Sequence, residues 1–172
     1  MRVIGGEFRS RVLKTLPGLN TRPTPDRLRE ALFNILSPRI NGAEFLDAYA
    51  GTGAVGIEAV SRGARRAIFI ENNPAALDVL RQNLASLEIE KRTEVFTSKT
   101  IPVLNRLSAD IAFLDPPYEL EPEYALALSV IQAPFVLAQH SSRFALQEEY
   151  GRLRRVRVLK QGDNSISFYE TL

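Results

Sequence analysis

Apolar positions in the first forty residues follow two patterns. From Met1 to Leu16, short apolar stretches alternate with basic residues around Gly5-Gly6. This predicts a small hairpin or extended arm, too basic and too short to be core. Pro17-Gly18 turns the chain, and Thr24 before Pro25 reads as an N-cap with proline at the first helical position. In the helix that follows, Leu28, Ala31, Leu32, Ile35 and Leu36 recur on one face, leaving Arg27, Arg29 and Glu30 toward solvent.

From Glu44 the pattern becomes strand and helix in alternation, as in a parallel sheet covered on both faces. Strands are expected at Phe45 to Tyr49, Ala67 to Ile70, Thr93 to Phe96, Ile111 to Leu114 and Phe135 to Gln139. Helices are expected at Gly53 to Arg62, Pro74 to Leu87, Ile101 to Leu107 and Pro122 to Ile131. The unbroken apolar run Ile111 to Leu114 suits a buried central strand. Arg152 to Leu159 and Ser165 to Tyr169 read as a closing antiparallel pair. The fold class is α/β: an open, twisted, mostly parallel sheet.

With 172 residues and 45% hydrophobic content, one core can be filled. A single domain is therefore expected, with residues 1–22 as a basic arm and 23–172 as the core. No run reaches the roughly 20 apolar residues of a membrane span, and the start lacks a secretion signal, so a soluble cytoplasmic protein is expected; its size and self-contained pattern point to a monomer. The absence of Cys and the single His140 exclude disulfides, thiolate chemistry and His-based metal clusters. The net charge of +2 is modest, but residues 1–30 hold seven basic and three acidic residues.

Two motifs carry chemistry. Leu46 to Gly56 joins the first strand to a helix start, where ligands of open α/β sheets bind. Gly51 and Gly53 allow backbone to approach a ligand around Thr52, and Gly56 suits close packing of helix on strand. A tight ligand-free loop or a nicotinamide dinucleotide site would read similarly. Asp47, ahead of the glycines, would repel a pyrophosphate but could accept hydrogen bonds from a cationic amino-acid moiety. Glu71 follows the second strand at the spacing of an acid that grips ribose hydroxyls, with Asn72 beside it.

Asp115-Pro116-Pro117-Tyr118, directly after the central strand, is the more specific signal. Two prolines fix two φ angles and remove two donors, leaving the Asp115 and Pro116 carbonyls rigidly outward. An aryl amine is a weak nucleophile because its lone pair is delocalised into the ring. Acceptors at Asp115 and Pro116 would hold its two N–H groups and favour a pyramidal nitrogen. Tyr118 offers a face for a flipped-out base.

These residues, with Met1 to Gly6, Thr21-Arg22-Pro23-Thr24, Asp26-Arg27, Glu30 to Asn34, Ser61 to Ala64 and Ser167-Phe168-Tyr169, make the chain resemble the bacterial small-subunit ribosomal RNA guanine-N2 methyltransferases of the RsmD family over essentially its full length. The resemblance implies a Rossmann-like S-adenosylmethionine-dependent methyltransferase fold and methyl transfer to guanine N2 in 16S rRNA, presented within the small ribosomal subunit. It implies Asp47, Gly51, Thr52 and Gly53 at the methionine end of the cofactor, Glu71 and Asn72 at the ribose, and Asp115 to Tyr118 at the target amine. Arg9, Arg11, Lys14, Arg22 and Arg27 would hold RNA phosphates.

Two departures stand out. Thr97-Ser98-Lys99 replaces the family's acid after the third strand, so Ser98 or backbone would meet the adenine. Gln139-His140 lacks an acid before the His, and His140 is given no role. The rivals are an adenine-N6 DNA methyltransferase, for which no stretch is long enough to be a target recognition region; a protein-glutamine methyltransferase, which would start the tetrad with Asn; and a non-catalytic RNA-binding assembly factor, which would show a damaged motif.

Overall fold

The computed structural model describes residues 1–17, 24–117 and 121–172. Arg22 and Tyr118, with Thr21 and Pro23, lie outside the described residues. The elements in chain order are α1 (Asp26–Ile40), β1 (Glu44–Asp47), α2 (Ala54–Ser61), β2 (Arg66–Glu71), α3 (Pro74–Ser86), β3 (Thr93–Thr97), α4 (Thr100–Leu104), β4 (Ile111–Leu114), α5 (Glu121–Val130), β5 (Phe135–Ser141), β6 (Glu149–Tyr150), β7 (Leu153–Gln161) and β8 (Asn164–Thr171).

One sheet in the order β3-β2-β1-β4-β5-β8-β7-β6 runs through the molecule. Strands β3, β2, β1, β4 and β5 are mutually parallel, and β8, β7 and β6 continue the sheet antiparallel. The order reverses between β1 and β4, and a crevice opens outside the carboxyl ends of strands at such a switch point. Asp47 ends β1, and Asp115 follows β4 immediately, so the two acids flank the crevice.

Alternating strand residues divide the core. Leu46, Ile68, Ala112, Leu114, Val136 and Ala138 face α4 and α5 through Val103, Leu104, Tyr124, Ala127 and Leu128. Phe45, Ile111, Phe113, Phe135 and Leu137 face Leu28, Leu32, Phe33 and Leu36 of α1, while Ala67 and Phe69 meet α2 and α3. Both faces of the central strands are covered, so every residue of β4 is buried. Each such apolar side chain contributes about 1.5–3 kcal/mol by leaving water.

Several sequence expectations change. Pro25, not Thr24, holds the N-cap position of α1, and it makes no side-chain cap bond. The Thr24 hydroxyl instead donates to Gln139 Oε1 at 2.9 Å, both residues being buried. Arg29, expected in solvent, is completely buried because an acid on α2 waits for it there. The arm is not peripheral: Val3 and Leu13 are buried in the cluster built on α2, α3 and β2, and Arg2 pairs with Val12 as an isolated antiparallel bridge. Strand β1 ends at Asp47 rather than Tyr49, β5 runs on to Ser141, and the short β6 was not foreseen. The closing antiparallel pair is present as β7 and β8. Among the described residues no helix is long and apolar enough to cross a membrane.

Candidate active site

The glycine turn is shaped by what touches it. Gly53 is the N-cap of α2 with φ of 89°, a left-handed conformation that disfavours a side chain. A Cβ at Gly56 would lie 2.3 Å from the Phe69 ring, so only glycine lets α2 settle on β2. Gly51 shares the left-handed backbone, with φ of 57°, but a Cβ there would meet nothing within 4 Å. The turn is thus packed from beneath and open above.

Asp47 is 1% exposed and its Oδ2 accepts from Gly56 N at 3.0 Å. Gly53 has no side chain to cap α2, and Asp47, reaching in from the end of β1, satisfies one first-turn amide instead. Burial pushes its carboxyl up to about 7; the Gly56 hydrogen bond opposes that shift, and the nearby Glu71 charge adds to it. The carboxylate at the crevice is therefore short of positive charge.

Glu71 is the last residue of β2 rather than the residue after it. Its Oε1 accepts from Gly51 N at 2.8 Å, and its Oε2 from Asn72 N and Asn73 N, both at 2.9 Å. One carboxylate thus braces the glycine turn and the entrance to α3. Asn72 is exposed, while Asn73 caps α3 by accepting from Ala76 N. Thr52 is half-buried, and its carbonyl accepts from Asn83 Nδ2 at 3.0 Å. Ser98 follows β3, and its hydroxyl donates to Lys99 O at 3.0 Å.

Across the switch point, Asp115 is half-buried, Pro116 buried and Pro117 exposed. The register pairing Leu114 with Ala138 sets Asp115 beside Gln139 of β5. Alternation puts Asp47, Asp115 and Gln139 on the α1 side of the sheet. The structure therefore gathers Asp47, Gly51, Thr52, Gly53, Glu71, Asn72, Ser98, Asp115, Pro116 and Pro117 along one sheet edge.

The described basic candidates lie on the surface. Arg9, Arg11, Lys14 and Arg27 are all exposed. Arg11 Nη2 donates to Ser86 O at 2.8 Å and Lys14 Nζ to Gln82 Oε1 at 2.6 Å, so both lean on α3. Arg27 lies in the first turn of α1, three residues beyond the Thr24 bond to Gln139.

The model of the family described as Conserved hypothetical protein 95 matches residues 1–170. The chain belongs to that family. It is 33% identical over 181 residues to the Bacillus subtilis protein named "Putative rRNA methyltransferase YlbH", covering 99% of this chain and 98% of that protein. To "Ribosomal RNA small subunit methyltransferase D" of Haemophilus influenzae it is 37% identical over 134 residues, which is 74% of this chain and 69% of that one. The solved structure of Escherichia coli yhhF superposes with a TM-score of 0.85 at 33% identity, covering 99% and 97% of the two chains. The resemblance drawn from the motifs is borne out by these relatives.

For this member of the Conserved hypothetical protein 95 family, S-adenosylmethionine fits the residues present. The glycine turn is open above Gly51, and Asp47 and Glu71 supply carboxylates at the ends of neighbouring strands.

Pattern reading missed several polar residues that shape this edge. Tyr49 OH donates to Glu123 Oε1 at 2.6 Å, tying the glycine turn to the first turn of α5. Burial, before the Glu123 contact, drives the Tyr49 pKa upward, so the hydroxyl stays protonated. Glu58 is completely buried on α2; its oxygens accept from Ile4 N, Gly5 N and Arg62 Nε, and Arg29 Nε lies 3.6 Å away. A lone acid inside the apolar run Ala54 to Val60 was the signal that could have revealed it. His140 is buried, with Nε2 2.9 Å from Ser167 Oγ and Nδ1 2.9 Å from Ser141 O, bonds within the sheet.

Proposed function

We propose that this chain transfers a methyl group from S-adenosylmethionine to the exocyclic N2 amine of a guanine in 16S ribosomal RNA of the small subunit. The carrying observation is the placement of Asp47 and Asp115-Pro116-Pro117 on opposite sides of the switch point between β1 and β4. A cofactor-facing acid and an amine-facing acceptor are then neighbours across one crevice. Small-subunit ribosomal RNA as the polymer is supported by the curated relative whose name carries that substrate.

When bound, S-adenosylmethionine supplies a methyl group made electrophilic by its sulfonium. Asp47 would accept from the ammonium of the methionine end, Gly51, Thr52 and Gly53 would offer backbone, Glu71 and Asn72 would meet the ribose, and Ser98 would meet the adenine. Asp115 and the Pro116 carbonyl hold the two N–H groups of the guanine amine, with Pro117 stiffening the loop and Tyr118 stacking on the base. Arg9, Arg11, Lys14, Arg22 and Arg27 hold phosphates on either side. The amine nitrogen would displace S-adenosylhomocysteine from the methyl carbon directly and then lose one N–H proton to water, so the protein would contribute mainly positioning.

The Asp47 role has a pH signature. Because the buried carboxyl titrates at about 7, the ionised form that pairs with an ammonium becomes scarce below neutrality. Titration calorimetry is expected to show cofactor binding weakened about tenfold between pH 6.5 and 5.5, with Asp47→Asn weak and flat across that range. An equally steep profile in Asp47→Asn would remove Asp47 from this role. In the free protein the folded pKa exceeds the unfolded one, so this group's contribution to stability falls as pH rises from about 4 to 7.

Labelled methyl transfer to naked 16S rRNA, small subunits and duplex DNA, run in parallel, tests the polymer. Label in either ribosomal substrate and none in DNA is expected; label in DNA alone would favour an adenine-N6 DNA methyltransferase.

A further inference from the structure

Asn83, in the last turn of α3, is 2% exposed and spends its amide on two segments that are distant in sequence. Its Oδ1 accepts from Lys14 N at 2.8 Å, and its Nδ2 donates to Lys14 O at 3.1 Å and to Thr52 O at 3.0 Å. Lys14 belongs to the basic arm, and Thr52 lies between the two glycines of the cofactor turn. One side chain thus joins a proposed RNA-holding segment to a proposed cofactor-holding one.

The neighbouring contacts make α3 the shared base of both. Gln82 and Ser86, on the same helix, take the Lys14 and Arg11 side chains. Leu80, one turn earlier, packs so tightly under the turn that a Cβ on Gly53 would come within 2.3 Å of it. The Asn83 amide spends its oxygen on Lys14 and its two N–H groups on Lys14 and Thr52, so a displacement of the arm strains a bond that also holds the turn.

We propose that Asn83 is a positioning residue that couples RNA binding to cofactor binding. The proposal rests on the functional reading above. Either ligand orders the arm, α3 and the turn together, and the second ligand then meets an already ordered site. The coupling is reciprocal by linkage: S-adenosylhomocysteine tightens RNA binding by the same factor by which RNA tightens S-adenosylhomocysteine.

The test measures Kd for small ribosomal subunits with and without saturating S-adenosylhomocysteine, which cannot react, in wild type, Asn83→Asp, Asn83→Leu and Leu84→Ala. Leu84 is a buried apolar neighbour on α3 with no part in the bridge, so its truncation controls for lost stability. Wild type and Leu84→Ala are expected to show coupling of about tenfold, and both Asn83 variants coupling near unity, even where each ligand alone still binds. Undiminished coupling in the Asn83 variants, or equal loss in Leu84→Ala, would overturn the proposal. Failure of the wild type to bind subunits at all would overturn the ribosomal reading and the coupling with it, whereas subunit binding indifferent to S-adenosylhomocysteine would overturn the coupling alone.

Discussion

Asp115→Ala is expected to lower the rate of methyl transfer about a thousandfold while changing Kd for S-adenosylhomocysteine less than about threefold. The magnitude is that of removing one fixed polar contact that positions and polarises the reacting group. The selectivity follows from the sheet. Asp115 stands across the switch point from Asp47, after β4, whereas the glycine turn hangs from β1 and Glu71 ends β2. Loss of the Asp115 carboxylate therefore leaves the proposed cofactor contacts intact. Asp115→Asn, which keeps an acceptor oxygen, should recover part of the rate. Single-turnover kinetics with calorimetry separates the two quantities; equal loss of both in Asp115→Ala would show that the two acids do not divide the work.

Glu58→Gln is expected to cost about 3–5 kcal/mol of stability, as does breaking a buried ion pair by removing one partner. Arg29 and Glu58 are both fully buried, and burial lowers the Arg29 pKa against the opposing pull of Glu58 and then Asp26. Without the Glu58 charge, Arg29 is left in the interior with Asp26 as its one counter-charge among the described residues, a carboxylate whose side chain is 67% exposed. Two backbone amides of the arm, Ile4 N and Gly5 N, lose charged acceptors at the same time. For a chain of this size the loss corresponds to about 10 °C in Tm. Arg29→Met combined with Glu58→Leu should cost less than the two single changes added together, because neither charge is then stranded. Additive losses by thermal unfolding would mean that the pair is not a unit.

The readable part of the fold was the part fixed by periodicity. Ile111 to Leu114 was legible as the central strand because it is buried on both faces and cannot alternate. The closing pair, expected at Arg152 to Leu159 and Ser165 to Tyr169, is present as β7 and β8. Strand ends moved by one or two residues: Tyr49 lies beyond β1, its hydroxyl bonded to Glu123, and Glu71 stays in β2 through its register with Thr97. What the pattern concealed is polar and long-range. Thr24 looks like a helix cap, and only the fold brings Gln139 to its hydroxyl, 115 positions away. Arg29 sits at a solvent position of a helical wheel until the arm and α2 close over it. Asn83 carries no local signal, since both of its partners come from other parts of the chain.

The central claim is the atom that receives the methyl group. The most direct test is nucleoside mass analysis of 16S rRNA from small subunits after incubation with the protein and labelled S-adenosylmethionine. Label is expected in N2-methylguanosine and is expected to be absent when Asp115→Ala is used; label in N6-methyladenosine, or in a ring nitrogen or ribose position of any nucleoside, would contradict transfer to guanine N2.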